Sequence, residues 1–78
     1  MSALYPNLYQ RGRKTTLLTQ EEAAERLHIS PETLKRYEGG RLTPPDETVA
    51  RMCAVYGVSW LALEHAKATD RLGILPEL

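Results

Sequence analysis

The chain has 78 residues, of which 42% are hydrophobic, and ten basic and ten acidic residues give it no net charge. This length allows one domain with a small core, and no apolar run approaches the roughly 20 residues that a membrane span needs. The neutral balance counts against a nucleic-acid partner, because phosphate neutralisation supplies most non-specific affinity, although residues 1–18 contain Arg11, Arg13 and Lys14 and no acidic residue.

The first predicted helix covers residues 7–15, with Asn7 as its N-terminal cap. Gly12 lies inside this helix, where glycine costs about 1 kcal/mol relative to alanine. A glycine at such a position indicates the close approach of another helix, so we expect a helix–helix contact at Gly12.

The next two predicted helices are short and follow each other closely. They cover residues 20–27 and 31–38. Thr19 and Glu22 have the spacing of a capping box, and Ser30 followed by Pro31 is a second start signal, because the fixed φ of proline suits the first helical position. Two helices joined by so short a turn predict a helix-turn-helix, a unit that usually presents its second helix to the major groove of DNA.

A fourth helix is predicted after the glycine pair Gly39-Gly40, which ends the third. It begins between residues 44 and 47, has Thr43 or Asp46 as its cap, and ends at Gly57. Its apolar residues have the spacing of one helical face. They are Val49, Met52, Cys53 and Tyr56.

The last predicted helix runs from Trp60 to about Thr69, with Ser59 as its cap. Leu63 and Ala66 fall on the same face as Trp60, and this face is expected to pack into the core.

The remaining residues, 70–78, form a tail that is too apolar for an ordinary solvated terminus. Its apolar residues are Leu72, Ile74, Leu75 and Leu78. No alternation of apolar and polar residues persists long enough to predict a strand. The sequence therefore predicts an all-α fold, a single domain over residues 1–78 with its core at about residues 7–69.

Several short motifs along these helices belong together. They are Leu18-Thr19-Gln20-Glu21-Glu22, Ala24 with Leu27, Ile29-Ser30, Leu34-x-x-Tyr37-Glu38-x-Gly40, Val49 and Tyr56-Gly57-Val58-Ser59. On these motifs the chain resembles the lambda-repressor-like (Cro/C1-type) helix-turn-helix family over about residues 7–66. The resemblance implies a compact bundle of five helices in which the second and third bind DNA.

The resemblance also implies DNA contacts on and around the third helix. Gln20 would contact a phosphate or a base edge at a helix N-terminus, which suits an anion, and Ser30 would contact phosphate. The positions facing the groove are Pro31, Glu32 and Arg36, with Thr33 and Lys35 beside them. Arg36 is the best base reader, because a guanidinium binds guanine O6 and N7 with two hydrogen bonds, and Arg41 would reach the DNA backbone.

Further positions either match or depart from the family pattern. Arg13 and Glu38 match a pair that ties the first helix to the end of the third, and this tie would set the tilt of the recognition helix. His28 and Leu17 stand where glycine is usual, and histidine enters the left-handed region at some cost. Pro31 stands where a polar, base-contacting side chain is common.

Two functions remain open on the sequence alone. The first is a sequence-specific, repressor-type regulator that binds double-stranded DNA as a homodimer through the fifth helix and the tail. The second is a protein-interaction module without useful DNA affinity, which the zero net charge, Glu32 and Pro31 favour. A positive surface around Lys35, Arg36 and Arg41 would favour the first function, whereas the second makes these side chains ordinary solvated charges.

The other reactive side chains are assigned to the fold rather than to chemistry. His28, Cys53 and His65 match no zinc-binding spacing, so neither a metal nor a cofactor is expected. No nucleophile lies at a recognisable spacing from a base, so no enzymatic activity is expected. The single cysteine and the lack of a secretion signal at the N-terminus predict a cytoplasmic location.

Overall fold

The computed structural model of the protein describes residues 7–69. Within this range it contains five helices and no strand, as the all-α prediction requires. The helices are α1 (Leu8–Lys14), α2 (Gln20–Leu27), α3 (Pro31–Glu38), α4 (Asp46–Tyr56) and α5 (Trp60–Ala68). The predicted bounds of α2 and α3 agree with the structure at both ends. The tail of residues 70–78 lies outside the described residues.

Side-chain caps fix the beginnings of the first three helices, as predicted. The Asn7 carboxamide accepts a backbone N–H from the first turn of α1 at 2.9 Å. Both halves of the capping box are formed in α2, because Thr19 Oγ1 accepts from the backbone of Glu22 and the Glu22 carboxylate accepts from the backbone of Thr19. Ser30 Oγ accepts from the backbone of Thr33 at the start of α3. Local sequence therefore determines where these helices begin.

Helices α4 and α5 begin within the predicted bounds, but neither is capped as predicted. Pro45 occupies the cap position of α4, so the expected caps Thr43 and Asp46 were both wrong, and no side chain caps this helix. Asp46 is instead the first helical residue, and its carboxylate accepts from His65 Nε2 at 2.9 Å. Ser59 stands at the cap position of α5 but makes no capping hydrogen bond. Its backbone is already helical, whereas a capping residue is usually extended.

One hydrophobic core joins all five helices. Its buried residues are Tyr9, Ala23, Ala24, Leu27, Leu34, Tyr37, Val49, Met52, Tyr56 and Leu61. The close approach predicted at Gly12 is confirmed, because a Cβ atom there would lie 3.2 Å from side-chain atoms of both Tyr56 and Leu61. The core thus holds α1 directly against α4 and α5.

Helix α5 buries a different face from the predicted one. Leu61 and His65 are its buried residues, whereas Leu63 is 59% exposed. Trp60 packs only partly against the core, and the Arg11 guanidinium lies 5.3 Å from the centroid of its ring. The predicted face was wrong because Leu61 and His65, four residues apart, turn inward instead, and a histidine with a partner at each ring nitrogen can be buried.

The ring of His65 links three helices. Its Nδ1 lies 2.8 Å from the Tyr9 hydroxyl on α1, and its Nε2 lies 2.9 Å from the Asp46 carboxylate on α4. The rings of Tyr9 and His65 also meet edge to face, with centroids 5.9 Å apart. Because both ring nitrogens are hydrogen-bonded, His65 is buried without an unsatisfied polar atom.

Candidate nucleic-acid interface

The turn between α2 and α3 is tight and begins at a left-handed residue. His28 has φ +60° and ψ +41° and ends α2, while the backbone N–H of Ile29 returns to Ala24 O at 3.0 Å. Arg51 on α4 donates to the carbonyl of Leu27 at 3.1 Å, a contact that the sequence did not predict. The two helices are thereby joined as a helix-turn-helix unit whose turn is supported from α4.

Helix α3 has a buried side and an exposed side. Leu34, Tyr37 and Glu38 are buried. The opposite side carries four of the residues predicted to contact DNA, all of them exposed. They are Pro31, Glu32, Lys35 and Arg36. Thr33 differs from them, because it is half-buried and its hydroxyl lies 2.9 Å from that of Ser30.

A surface groove of about 380 Å³ runs along the exposed side of α3 and the loop that follows it. It is lined by Glu32, Lys35, Arg36, Gly39 and Arg41. The glycine contributes no side chain, so charged groups dominate the walls, with three cations and one carboxylate. We call this feature the basic groove.

The path of the chain after α3 brings Arg41 into the basic groove. Gly40 has φ +78°, a left-handed conformation that glycine adopts without steric penalty. The backbone N–H of Arg41 then reaches back to the carbonyl of Arg36 at 3.0 Å, as in a Schellman helix ending. This helix ending brings Arg36 and Arg41 together in the lining of the basic groove.

A buried ion pair holds α3 against α1. Arg13 Nε donates to Glu38 Oε2 at 2.8 Å and Nη2 donates to Oε1 at 3.0 Å. Hydrogen bonding to Glu38 raises the pKa of Arg13, and Nη1 also donates to the carbonyl of Leu18 at 3.0 Å. The predicted tie is therefore confirmed as a two-point fork, which fixes orientation as well as distance.

Comparison with known families agrees with this arrangement. A family model described as a helix-turn-helix domain matches residues 10–66. The chain belongs to this family. Comparison of the chain with curated proteins and with solved structures found no match. Membership confirms the family resemblance and the general class of DNA-binding domain, and the individual DNA contacts stay predictions.

Gln20 of this helix-turn-helix domain makes a contact within the protein that the sequence did not predict. Its Nε2 donates to Glu38 Oε1 at 2.9 Å, and the side chain is half-buried. The carboxylate of Glu38 thus accepts from both Arg13 and Gln20. A carboxylate has more acceptor sites than one guanidinium fills. The acceptor sites of Glu38 that Arg13 leaves free are the only signal in the sequence that Glu38 has a second hydrogen-bond partner.

The hydroxyl of Tyr56 lies buried near the ion pair of the domain. Within residues 7–69 no group donates to it or accepts from it. Burial raises the pKa of Tyr56 to about 12, with a further rise from the negative charge of Glu38. The phenol therefore stays neutral in the folded protein over the physiological pH range.

No helix in the described part of this domain combines the length and the apolar composition that crossing a membrane would require.

Proposed function

We propose that this protein is a sequence-specific DNA-binding regulator of transcription, of the repressor type, acting in the cytoplasm by binding and not by catalysis. The observation that carries the proposal is the basic groove on the exposed side of α3. Its three cations and one carboxylate give a local positive charge on a chain with no net charge. Local potential rather than total charge governs attraction of a phosphate backbone.

In this proposal α3 enters the major groove and its side chains divide the contacts. Arg36 reads a guanine with two hydrogen bonds. Arg41, which lies beside it in the basic groove, binds the DNA backbone. The other proposed contacts are Gln20, Ser30, Pro31, Glu32, Thr33 and Lys35. Gln20 retains a second amide hydrogen and its carbonyl oxygen for DNA after donating one hydrogen to Glu38.

We also propose that the protein binds as a homodimer through α5. A single recognition helix reads few base pairs, and a two-fold dimer would place two of them about 34–36 Å apart on a palindromic site. The exposure of Leu63, at 59%, and the incomplete burial of Trp60 support α5 as the contact surface. The apolar tail would complete this surface, so deletion of residues 70–78 should weaken both dimerisation and DNA binding.

Binding to a random-sequence duplex across a salt series tests the proposal. Affinity should fall about 10³-fold or more between about 50 and 200 mM salt if several phosphates are contacted. Selection from a random pool then gives the preferred site. Arg36→Ala should remove the preference at one base pair, with a loss of about 1–3 kcal/mol, whereas Arg41→Ala should weaken binding to every sequence equally.

The protein-interaction module is a second candidate, favoured by exposed leucines. Leu17 is 100% exposed and Leu63 is 59% exposed, and large apolar side chains at the surface can mark contacts with other proteins. This function predicts no salt-dependent affinity for duplex DNA. The salt series therefore separates the two candidates, because only DNA binding releases condensed counterions.

A further inference from the structure

Glu32 is the only carboxylate among the residues that line the basic groove. It lies in the first turn of α3 and is exposed. Lys35 and Arg36 follow it at spacings of three and four residues, so all three side chains lie on one strip of the helix surface. A negative charge in the lining of a proposed phosphate-binding surface weakens binding and calls for a physical explanation.

The carboxylate does not serve as a counter-ion within the fold. Among residues 7–69 the ion pairs join Arg13 to Glu38 and His65 to Asp46, and neither involves Glu32. The first turn of α3 is already capped by Ser30. Glu32 therefore makes no capping hydrogen bond and no ion pair, and its place in the first turn gives only the weak attraction of an exposed carboxylate to the helix N-terminus and to the cations one turn later, each about 1 kcal/mol or less.

The chemistry of base edges supplies a reason. A carboxylate can only accept hydrogen bonds, and in the major groove it pairs with the exocyclic amino group of cytosine. Guanine and thymine present acceptor oxygens there, and adenine presents the N7 acceptor beside its amino group, so a carboxylate is best matched to cytosine, which presents a donor alone. Rejection of a wrong partner by an unpaired charge is an established way to obtain specificity.

We propose that Glu32 is a specificity-determining residue that suppresses binding to DNA lacking a cytosine at the position it faces. This inference rests on the proposed function. Glu32 lowers affinity for most sequences by repelling phosphate and acceptor-rich base edges, and at the correct base pair a hydrogen bond offsets that repulsion. Its effect is thus larger on non-specific than on specific binding.

The test compares Glu32→Gln with Glu47→Gln. Both variants lose one negative charge, but Glu47 is exposed on α4 and does not line the basic groove. Affinities are measured for two duplexes of about 20 base pairs, one of random sequence and one selected from a random pool by the natural protein, at several salt concentrations.

Glu32→Gln should bind the random duplex about threefold to tenfold more tightly, since one unit of repulsion near a phosphate is removed. It should gain less, or lose, on the selected duplex, so that the ratio of the two affinities falls at least about fivefold. Pool selection with this variant should lose the preference for cytosine at one position. Glu47→Gln should change both affinities less than about twofold.

Equal tightening on both duplexes, or behaviour like that of Glu47→Gln, would overturn the inference and leave the proposed function intact. Failure of the natural protein to bind either duplex in a salt-dependent way would overturn the proposed function and this inference together.

Discussion

The side-chain amide of Gln20 donates to the carboxylate of Glu38 at 2.9 Å, which joins the first residue of α2 to the last residue of α3. Arg13 holds the same carboxylate from α1 with two further hydrogen bonds. One buried carboxylate therefore fixes three helices relative to one another. Because two of them form the helix-turn-helix unit, the geometry of the DNA-facing surface depends on Glu38.

Replacing Glu38 alone should be strongly destabilising. Glu38→Leu leaves the Arg13 guanidinium buried without its counter-ion, which should lower the free energy of unfolding by about 3–5 kcal/mol. Gln20→Ala removes one hydrogen bond from a half-buried site and should cost about 1 kcal/mol. Urea unfolding followed by circular dichroism measures both losses. Equal losses in the two variants would contradict an uncompensated charge as the cause.

The paired replacement Arg13→Met with Glu38→Leu separates stability from geometry. An apolar pair of similar volume commonly restores the stability lost on breaking a buried ion pair. The free energy of unfolding of this double variant should therefore be at least about 2 kcal/mol higher than that of Glu38→Leu. Under the proposed function it should nonetheless bind DNA more weakly, because two-point orientation of α3 is lost. Wild-type affinity in the double variant would show that packing alone orients the helix.

Tyr56 predicts a loss of stability at alkaline pH. Its pKa is raised to about 12 in the folded protein by burial, against about 10 in an unfolded chain. As the pH rises, the unfolded state therefore loses the phenolic proton at a lower pH than the folded state. The contribution of Tyr56 to the free energy of unfolding is complete below pH 10 and disappears as the pH rises to 12. Its size is on the order of 2 kcal/mol.

Tyr56→Phe isolates this contribution. The hydroxyl has no partner among residues 7–69, so its removal should change stability at neutral pH by less than about 1 kcal/mol, or raise it. Between pH 10 and 12 the variant should lose less stability than the natural protein. If the free energies of unfolding of the variant and of the natural protein fell by the same amount between pH 10 and 12, the raised pKa of Tyr56 would be contradicted.

The sequence predicted the helix-turn-helix unit because its signals are local. Thr19, Glu22 and Ser30 each bond a backbone group within three residues, so the spacing of residue types is sufficient. The cap of α4 was not predictable in this way. Asp46 is drawn to His65, 19 residues away, and no local pattern encodes that contact.

The candidate site likewise combines features that were predicted from the sequence with features that only the tertiary structure shows. The pairing of Arg13 with Glu38 and the exposed positions of α3 were both implied by a family resemblance. The basic groove needed coordinates, because Arg41 joins Arg36 only through the left-handed backbone of Gly40. The contact of Gln20 with Glu38 also depends on tertiary packing, since 18 residues separate them.

The side chains of His65 and Tyr9 should be energetically coupled, so that replacing both costs less stability than the sum of the two single losses. His65→Phe keeps an aromatic ring but leaves the buried hydroxyl of Tyr9 without its partner, which should cost about 1–3 kcal/mol. Adding Tyr9→Phe removes the stranded hydroxyl and should recover part of that loss. Thermal unfolding of the two single variants and the double variant completes the cycle. Additive losses would contradict a coupling between the two side chains.

His28 carries backbone strain that glycine would relieve. It is the one non-glycine residue with positive φ among residues 7–69, at +60°, and a side chain in this region costs about 1 kcal/mol or more. His28→Gly should therefore stabilise the protein by about 0.5–1 kcal/mol, the strain relief exceeding the added flexibility of the unfolded chain. His28→Ala keeps the strain and serves as the control, because His28 is exposed and its ring contributes little burial. A glycine variant no more stable than the alanine variant in urea would show that the turn is held in this conformation without strain.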